Sequence, residues 1–370
     1  MKKKIIAAGH ICLDITPVIP AGRGGRRLDE ALEPGKLLHV GPADIHTGGS
    51  VANTGLALKL LGEDVALMGK VGGDAFGSIV RDILSRYGAG GLLVDPEGDT
   101  SYSVVLAVPG VDRVFLHNPG VNDSFASADV PDAALEDAAL FHFGYPPLMR
   151  RMYEAGGAEL AALLRRVKAR EIATSLDFAA IEPDSDAGKA DWRGILERVL
   201  PDTDFFLPSF EELCYMLDRP RYERLTAPGG DVTERLDMER DVKPLAALAL
   251  DMGCRVILVK CGMSGMYFRA ADSAALEHVG RRIGLDTEQW GGREGVQPCF
   301  RVNTVRSATG AGDASIAAFL SAALAGKGPR DCAALAAAEG ACSVTVYDAL
   351  SGLRPLDELD QRIAAGWPAI

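Results

Sequence analysis

Zinc-type spacings are missing from this chain. Its seven cysteines form no Cys-x-x-Cys pair and its six histidines no His-Glu-x-x-His, which excludes the commoner zinc arrangements. Cys12, Cys214, Cys254, Cys261, Cys299, Cys332 and Cys342 show no paired spacing, and several fall in apolar patterns, so mostly buried, reduced thiols are expected. Long apolar runs are missing too: none approaches the ~18 residues that cross a bilayer. The start, Lys2-Lys3-Lys4 before Ile5-Ile6-Ala7-Ala8, has the charge and apolarity of a signal peptide. Gly9-His10 and Asp14 interrupt that run and no cleavage-like tail follows, so it reads as a first buried strand and a cytoplasmic protein is expected. Basic residues are scarce, 39 Lys and Arg against 51 Asp and Glu, and the net charge of −12 argues against a nucleic-acid binder. The first strand lacks Gly-x-Gly-x-x-Gly, which argues against a dinucleotide-dependent oxidoreductase.

What is present is apolar and glycine-rich. A 48% hydrophobic content excludes a disordered chain, and 42 glycines in 370 residues suggest many strand-to-helix turns. Short apolar runs at 4–9, 64–69, 139–143, 173–177, 204–207 and 255–259 predict buried strands. Helical patterns follow many of them, for example at 158–169, 195–200 and 245–252. That alternation predicts an α/β fold with a doubly wound, mostly parallel central sheet and helices on both faces. Segments 15–47 and 101–117 break the rhythm, the second reading as a hairpin that turns at Pro109–Asp112. Two polar stretches, 219–240 and 270–297, read as surface insertions. One domain over 1–370 is expected.

The stretch Ser307-Ala308-Thr309-Gly310-Ala311-Gly312-Asp313-Ala314-Ser315 sets a small-residue turn and one carboxylate before an Ala/Leu-rich helix. Such a turn leaves backbone N–H groups uncovered at the positive end of a helix, which suits a phosphoryl group in transfer. A carboxylate repels a resting anion, so Asp313 makes sense as the group that takes a proton from an attacking hydroxyl. The plainer alternative is a helix cap. A second element, His46-Thr47-Gly48-Gly49-Ser50-Val51-Ala52-Asn53-Thr54-Gly55, opens a helix that stops at Gly62. Its paired glycines let backbone approach a ligand, and Asn53, one turn in, offers a donor and an acceptor to polyol hydroxyls. A structural turn is again the alternative.

These two signatures resemble the ribokinase-like carbohydrate kinase family (PfkB type). Gly69-Lys70-Val71-Gly72-Gly73-Asp74-Ala75-Phe76-Gly77 is similar to its Val-Gly-x-Asp-x-Phe-Gly segment. Pro208-Ser209-Phe210-Glu211-Glu212 resembles its Pro-Asn-x-x-Glu motif, and Val259-Lys260-Cys261-Gly262-Met263-Ser264-Gly265 its nucleotide-binding strand end. The five elements fall in family order over about residues 5–350. The resemblance implies an ATP- and Mg²⁺-dependent kinase that phosphorylates a hydroxyl of a sugar or sugar derivative. Asp313 would be the base, and the amides of Gly310, Ala311 and Gly312 the anion hole. Asp14, placed at the end of the first strand, would bind the acceptor with Gly48, Gly49 and Asn53; Asp177 and Asn118 are further candidates. Ser209, Lys260, Gly262, Gly265 and Thr309 would face the nucleotide, with a solvent-exposed strand-end charge the alternative for Lys260. Glu212 would hold Mg²⁺ through water, with Glu211 its competitor.

The resemblance also implies a small β-lid built from about 15–47 and 101–117, and a homodimer through that lid. Ser307 stands where the family commonly has an Asp that helps hold a monovalent cation, so potassium activation is doubtful. Ser209 replaces the usual Asn, and Val346-Tyr347-Asp348-Ala349 replaces a basic-x-Gly-Ala segment. A phosphosugar or sugar acid would want a cation such as Lys36, Arg113 or Arg150 facing Asn53. A nucleoside would want a stacking surface such as Tyr102 or Phe115, both equally lid-packing residues. A free sugar or sugar derivative is the leading expectation. The alternatives are a nucleoside kinase of the same fold and a non-catalytic sugar or nucleotide sensor.

Overall fold

A computed structural model describes residues 2–20, 35–108 and 114–370. Its strands are β1 (Lys4–Gly9), β2 (Cys12–Pro17), β3 (Ala43–Gly48), β4 (Asp64–Met68), β5 (Lys70–Gly72), β6 (Leu93–Asp95) and β7 (Tyr102–Leu106), then β8 (Val114–Asn118), β9 (Ala138–Gly144), β10 (Ala173–Asp177), β11 (Phe205–Phe206), β12 (Val256–Lys260), β13 (Met266–Ala270) and β14 (Glu294–Gln297). Eight form the central sheet, in the order β14-β13-β12-β11-β10-β9-β1-β4. From β4 to β12 every pairing is parallel; β13 and β14 close the far edge antiparallel.

A strand between two helical layers must be apolar on both faces. In β1, Ile5 and Ala7 enter one core while Ile6 and Ala8 enter the other. The first core is closed by helices Ser50–Leu60, Ala311–Leu324 and Pro329–Ser343, the second by Arg150–Lys168, Trp192–Val199, Phe210–Leu217 and Lys243–Asp251. This is the doubly wound arrangement that the alternation predicts. No helix among the described residues is long and apolar enough to cross a membrane.

The expected strands match β1 and β10 to the residue, and the others within one or two. The helix expected at 158–169 is the regular part of Arg150–Lys168. Glu154–Gly157 depart from helical geometry, with φ of 50°, 62° and 72° at Ala155, Gly156 and Gly157.

The two rhythm-breaking segments form a second sheet, in the order β3-β2-β7-β8. Strands β7 and β8 are antiparallel, with Tyr102 opposite Asn118. The expected turn at Pro109–Asp112 lies outside the described residues, as does Arg113.

Two expectations need correction. Asp14 is not at the end of the first strand but is the third residue of β2, in the second sheet. The chain leaves the central sheet at Gly9, whose φ of 124° sets its Cα where a Cβ would meet Gly144 O at 2.3 Å. Segment 270–297 is not a surface insertion: it supplies β14, and Leu276, Ile283 and Trp290 are each 1% exposed. Its apolar anchors are too widely spaced among polar residues to announce a core. Segment 219–240 fits the expectation better, for helix Arg219–Thr226 buries nothing fully, although Val232 and Thr233 are buried.

Candidate active site

The C-terminal ends of parallel strands and the N-termini of the following helices meet along one edge of the sheet, where open α/β folds place ligands. Gly310 there adopts φ 75°, and a Cβ on it would lie 2.3 Å from Ala349 Cβ. The left-handed residue turns the chain into helix Ala311–Leu324, whose first hydrogen bond runs from Ala314 N to Gly310 O at 2.8 Å. Helix geometry leaves the amides of Gly310, Gly312 and Asp313 without an intrahelical acceptor. The Ala311 amide leans to Ala308 O at 3.3 Å. Beside the turn, Thr309 Oγ1 is buried without a partner. The Ser307 hydroxyl accepts from Thr309 N at 3.1 Å.

Asp313 is 5% exposed and accepts three hydrogen bonds. Thr54 Oγ1 donates to Oδ1 at 2.8 Å, while Tyr145 OH (2.7 Å) and Asn53 Nδ2 (3.2 Å) donate to Oδ2. Asn53, expected to present its amide to a polyol, thus holds the carboxylate of the turn. Asn53 and Thr54 come from helix Ser50–Leu60, which the Gly48-Gly49 pair docks. A Cβ on Gly48 would meet Asp14 Oδ2 at 2.2 Å, and one on Gly49 (φ 85°) would meet His10 O at 2.5 Å. These glycines let the strand end press against Asp14 and His10.

Asp14 accepts from Cys12 Sγ at 3.4 Å and from the Ser103 hydroxyl. Burial pushes its carboxyl above the ordinary range, against those hydrogen bonds. Ser103 Oγ also lies 3.0 Å from His117 Nδ1. The His117 ring lies 5.3 Å from that of His10, which lies 6.2 Å from Tyr145. This chain of contacts joins Asp14 to Asp313 across the junction of the two sheets. His10 Nδ1 and His117 Nε2 are buried and unpartnered. Burial lowers both imidazoles, helped at His10 by His117 and opposed at His117 by Asp123, so both are neutral near pH 7. Asn118 stands apart: its Oδ1 accepts from Gly120 N at 3.3 Å and closes its own turn.

Tyr145, His10, His117 and Thr54 were not singled out from sequence. Tyr145 follows β9 with φ 66° and ψ 43°, a left-handed conformation that costs a non-glycine residue on the order of 1–3 kcal/mol. The legible signal was an apolar strand ending in Gly144-Tyr145-Pro146-Pro147, because a strand end is where a ligand sits.

On the other side of the turn, Lys260 donates to Asp177 Oδ1 and to Leu207 O, both at 2.7 Å. It is a buried ion pair and not a solvent charge. Burial alone would lower the ammonium, but Asp177, Glu212 and Asp313 overcome it and hold Lys260 charged. Burial and the charges of Glu212 and Asp313 push the Asp177 carboxyl up, against the Lys260 ammonium that pairs with it. A Cβ on Gly312 would lie 3.8 Å from Lys260 Nζ, so the ammonium neighbours the turn.

Ser209 caps helix Phe210–Leu217: its hydroxyl accepts from Glu212 N at 3.2 Å, and its own amide donates to Glu212 Oε2 at 2.7 Å. That hydroxyl is committed to the cap, and only Oε1 of Glu212 is left for a metal-bound water. Gly262 and Gly265, at φ 50° and 92°, form the turn after β12. There a Cβ would meet Thr233 Oγ1 at 2.4 Å and Gln297 O at 2.3 Å respectively. Asp177, Glu212 and Asp313 do not converge on one point, and no cluster of three or more metal-ligand side chains occurs among the described residues. A separate cavity of about 530 Å³, lined by Arg301, Asn303, Arg306, Arg362 and Trp367, is lined by none of these residues.

A carboxylate at a helix N-terminus with open amides, and an ammonium beside them, is an arrangement for phosphoryl transfer. Residues 26–355 match the model of the pfkB family carbohydrate kinases. The chain belongs to that family. Members are phosphotransferases with an alcohol group as acceptor, which the five motifs anticipated. Fructokinase-2 of Oryza sativa subsp. japonica is 28% identical over 280 residues, covering 74% of this chain and 69% of its own. The structure of Arabidopsis thaliana ribokinase complexed with ribose and ATP superposes with a TM-score of 0.71 at 18% identity, covering 97% of this chain and 98% of the other. An E. coli protein in complex with ATP and Mg²⁺ superposes with a TM-score of 0.70 at 21% identity, covering 99% and 100%. The fold is therefore ribokinase-like.

Proposed function

We propose that this pfkB-family kinase transfers the γ-phosphoryl group of ATP to a hydroxyl of an uncharged sugar. The observation that carries the reading is Asp313 set beside open helix amides, with polar groups and no cation among the described residues on its acceptor side. Its carboxylate takes the proton of the acceptor hydroxyl as the new O–P bond forms and the β–γ bridging bond breaks; ADP leaves. The amides of Gly310, Gly312 and Asp313, with that of Ala311 released from Ala308, receive the charge gathering on the transferred group. Lys260, whose ammonium neighbours the turn, would meet the phosphates, and the unpartnered Thr309 hydroxyl would donate to the nucleotide.

Lys260 is taken up by Asp177, so Glu212 and Asp313 leave negative charge near the turn that an Mg²⁺ ion with the phosphates would offset. Glu212 would hold the ion through water, using Oε1; when bound, Mg²⁺ neutralises the phosphate oxygens. No carboxylate stands at position 307, so turnover without potassium is expected.

The acceptor side supports an uncharged polyol. Among the described residues the side chains gathered there, Asp14, His10, His117, Asn53 and Tyr145, include no cation. Lys36 is exposed, and Arg150 is 59% exposed and pairs with Asp123 at 3.2 Å. Tyr102 packs edge-on against Phe76 at 5.3 Å, which engages its ring, and Phe115, 53% exposed, is the lid ring left open. The whole chain acts as one kinase unit in the cytoplasm, with the second sheet as lid over the acceptor.

The test is ADP release with Mg-ATP against free sugars, sugar acids, sugar phosphates and nucleosides, with and without potassium. A free sugar should give turnover, and Asp313→Asn should lower kcat by on the order of 10²–10⁴. Turnover with a nucleoside alone would overturn the sugar assignment, and ATP binding without any turnover would favour a sensor.

A further inference from the structure

We propose that the Tyr145 hydroxyl is a positioning group that occupies the acceptor-hydroxyl station on Asp313 while the cleft is empty, keeping water from attacking ATP. The inference rests on the kinase reading above and goes beyond it.

A kinase that orients a hydroxyl against ATP faces a competitor present at enormous excess, because water can stand where the acceptor hydroxyl stands. Among the described residues the Asp313 oxygens are already covered. Oδ1 accepts from Thr54 at 2.8 Å, and Oδ2 accepts from Asn53 at 3.2 Å and from Tyr145 at 2.7 Å. Thr54 and Asn53 belong to the helix that docks against the turn, and they remain useful with acceptor bound because they orient the carboxylate. Tyr145 differs. Its donor is an O–H, the group that an acceptor sugar brings, and it takes the shortest of the three bonds. The contact reproduces the geometry of a substrate hydroxyl with a group tethered to the protein.

The tether is stiff. Tyr145 is held left-handed (φ 66°), its N–H donates to Asp177 O at 3.2 Å, and its C=O accepts from Leu148 N at 3.0 Å. Pro146 and Pro147 follow, and the ring lies against His10 at 6.2 Å. A backbone strained in this way persists where its surroundings over-determine it, and such positions gather at functional sites. A phenol so fixed blocks a water molecule, but it yields to a sugar held at several points by Asp14, His10 and His117.

Tyr145→Phe removes the hydroxyl and keeps the ring. With Mg-ATP alone, its ADP release should exceed that of the wild type roughly tenfold, the factor one hydrogen bond of ordinary strength controls. Tyr145→Phe/Asp313→Asn should lose that gain, because the freed water works through the base. Transfer to the best sugar of the panel should fall by less than hydrolysis rises, a split that a purely structural role would not produce. Melting temperature checks the fold, and Tyr145→Leu, which also lacks the hydroxyl, should show the same rise. Acceptor-free hydrolysis equal to wild type in both variants overturns the proposal, as does a parallel fall of hydrolysis and transfer. A wild type that transfers phosphate while Tyr145→Phe shows no rise sinks only this inference. A wild type inert toward every acceptor sinks the kinase reading with it.

Discussion

Glu339 shows how a single burial sets a pH response. It is fully buried in helix Pro329–Ser343, with Oε1 accepting from Arg354 N at 3.0 Å and Oε2 unpartnered. Burial pushes its carboxyl from 4.5 up to about 7, against the Arg354 contacts. Between those pH values the folded chain keeps a proton that the unfolded chain has released. Its contribution to stability is therefore whole below about 4.5 and is lost as pH rises toward about 7. Glu339→Gln should flatten that fall in melting temperature and stabilise the protein at pH 8 by on the order of 2–3 kcal/mol. Thermal melts of both proteins from pH 4 to 8 check this; parallel curves would remove the assignment. At the same scale, Asp313 and Lys260 drew attention because their motifs are local, while where Asp14 and Lys260 lie in the fold was not readable. Tyr145, His10 and His117 were not singled out, because their roles lie in contacts with residues far away in sequence.

Among the elements, the turn before helix Ala311–Leu324 carries the tightest steric demand. Gly310 needs a positive φ, and its Cα faces Ala349 so closely that a Cβ would overlap Ala349 Cβ at 2.3 Å. Gly310→Ala should cost about 1–2 kcal/mol for the left-handed backbone alone and more for the overlap. It should also lower kcat at least tenfold by turning the amides away, taking ~1.4 kcal/mol as the price of a tenfold rate. Adding Ala349→Gly should recover part of the stability. Differential melts and initial rates decide it, and equal stability of the single and double variants would show that the overlap is relieved elsewhere. Strands β1 and β10 were readable to the residue because apolar runs bounded by turns are local signals. β13 and β14 were not, because an antiparallel edge pair depends on partners that no nearby residue announces. Ser209 adds a local role that its motif did not announce: its hydroxyl closes a capping box with Glu212.

Across the whole molecule, the second sheet leaves β3 and β8 as edges, with Ile45, Phe115 and Leu116 between 42% and 54% exposed. Exposed edges with apolar side chains favour pairing with another copy, and a homodimer through the lid is the expected state. Phe115→Glu with Leu116→Glu should weaken that dimer at least tenfold in sedimentation equilibrium; a monomeric wild type would remove the lid contact from consideration. The sequence by itself determined the doubly wound α/β class, the family and the glycine turn before helix Ala311–Leu324, because apolar periodicity and glycine turns act within a few residues. Tertiary structure alone decided that Asp14 lies in the lid sheet and that Asn53 holds Asp313. It also decided that Lys260 is buried against Asp177 and that the Tyr145 hydroxyl reaches Asp313. Each of these depends on which strand ends the sheet order brings side by side, and that order arises from long-range packing.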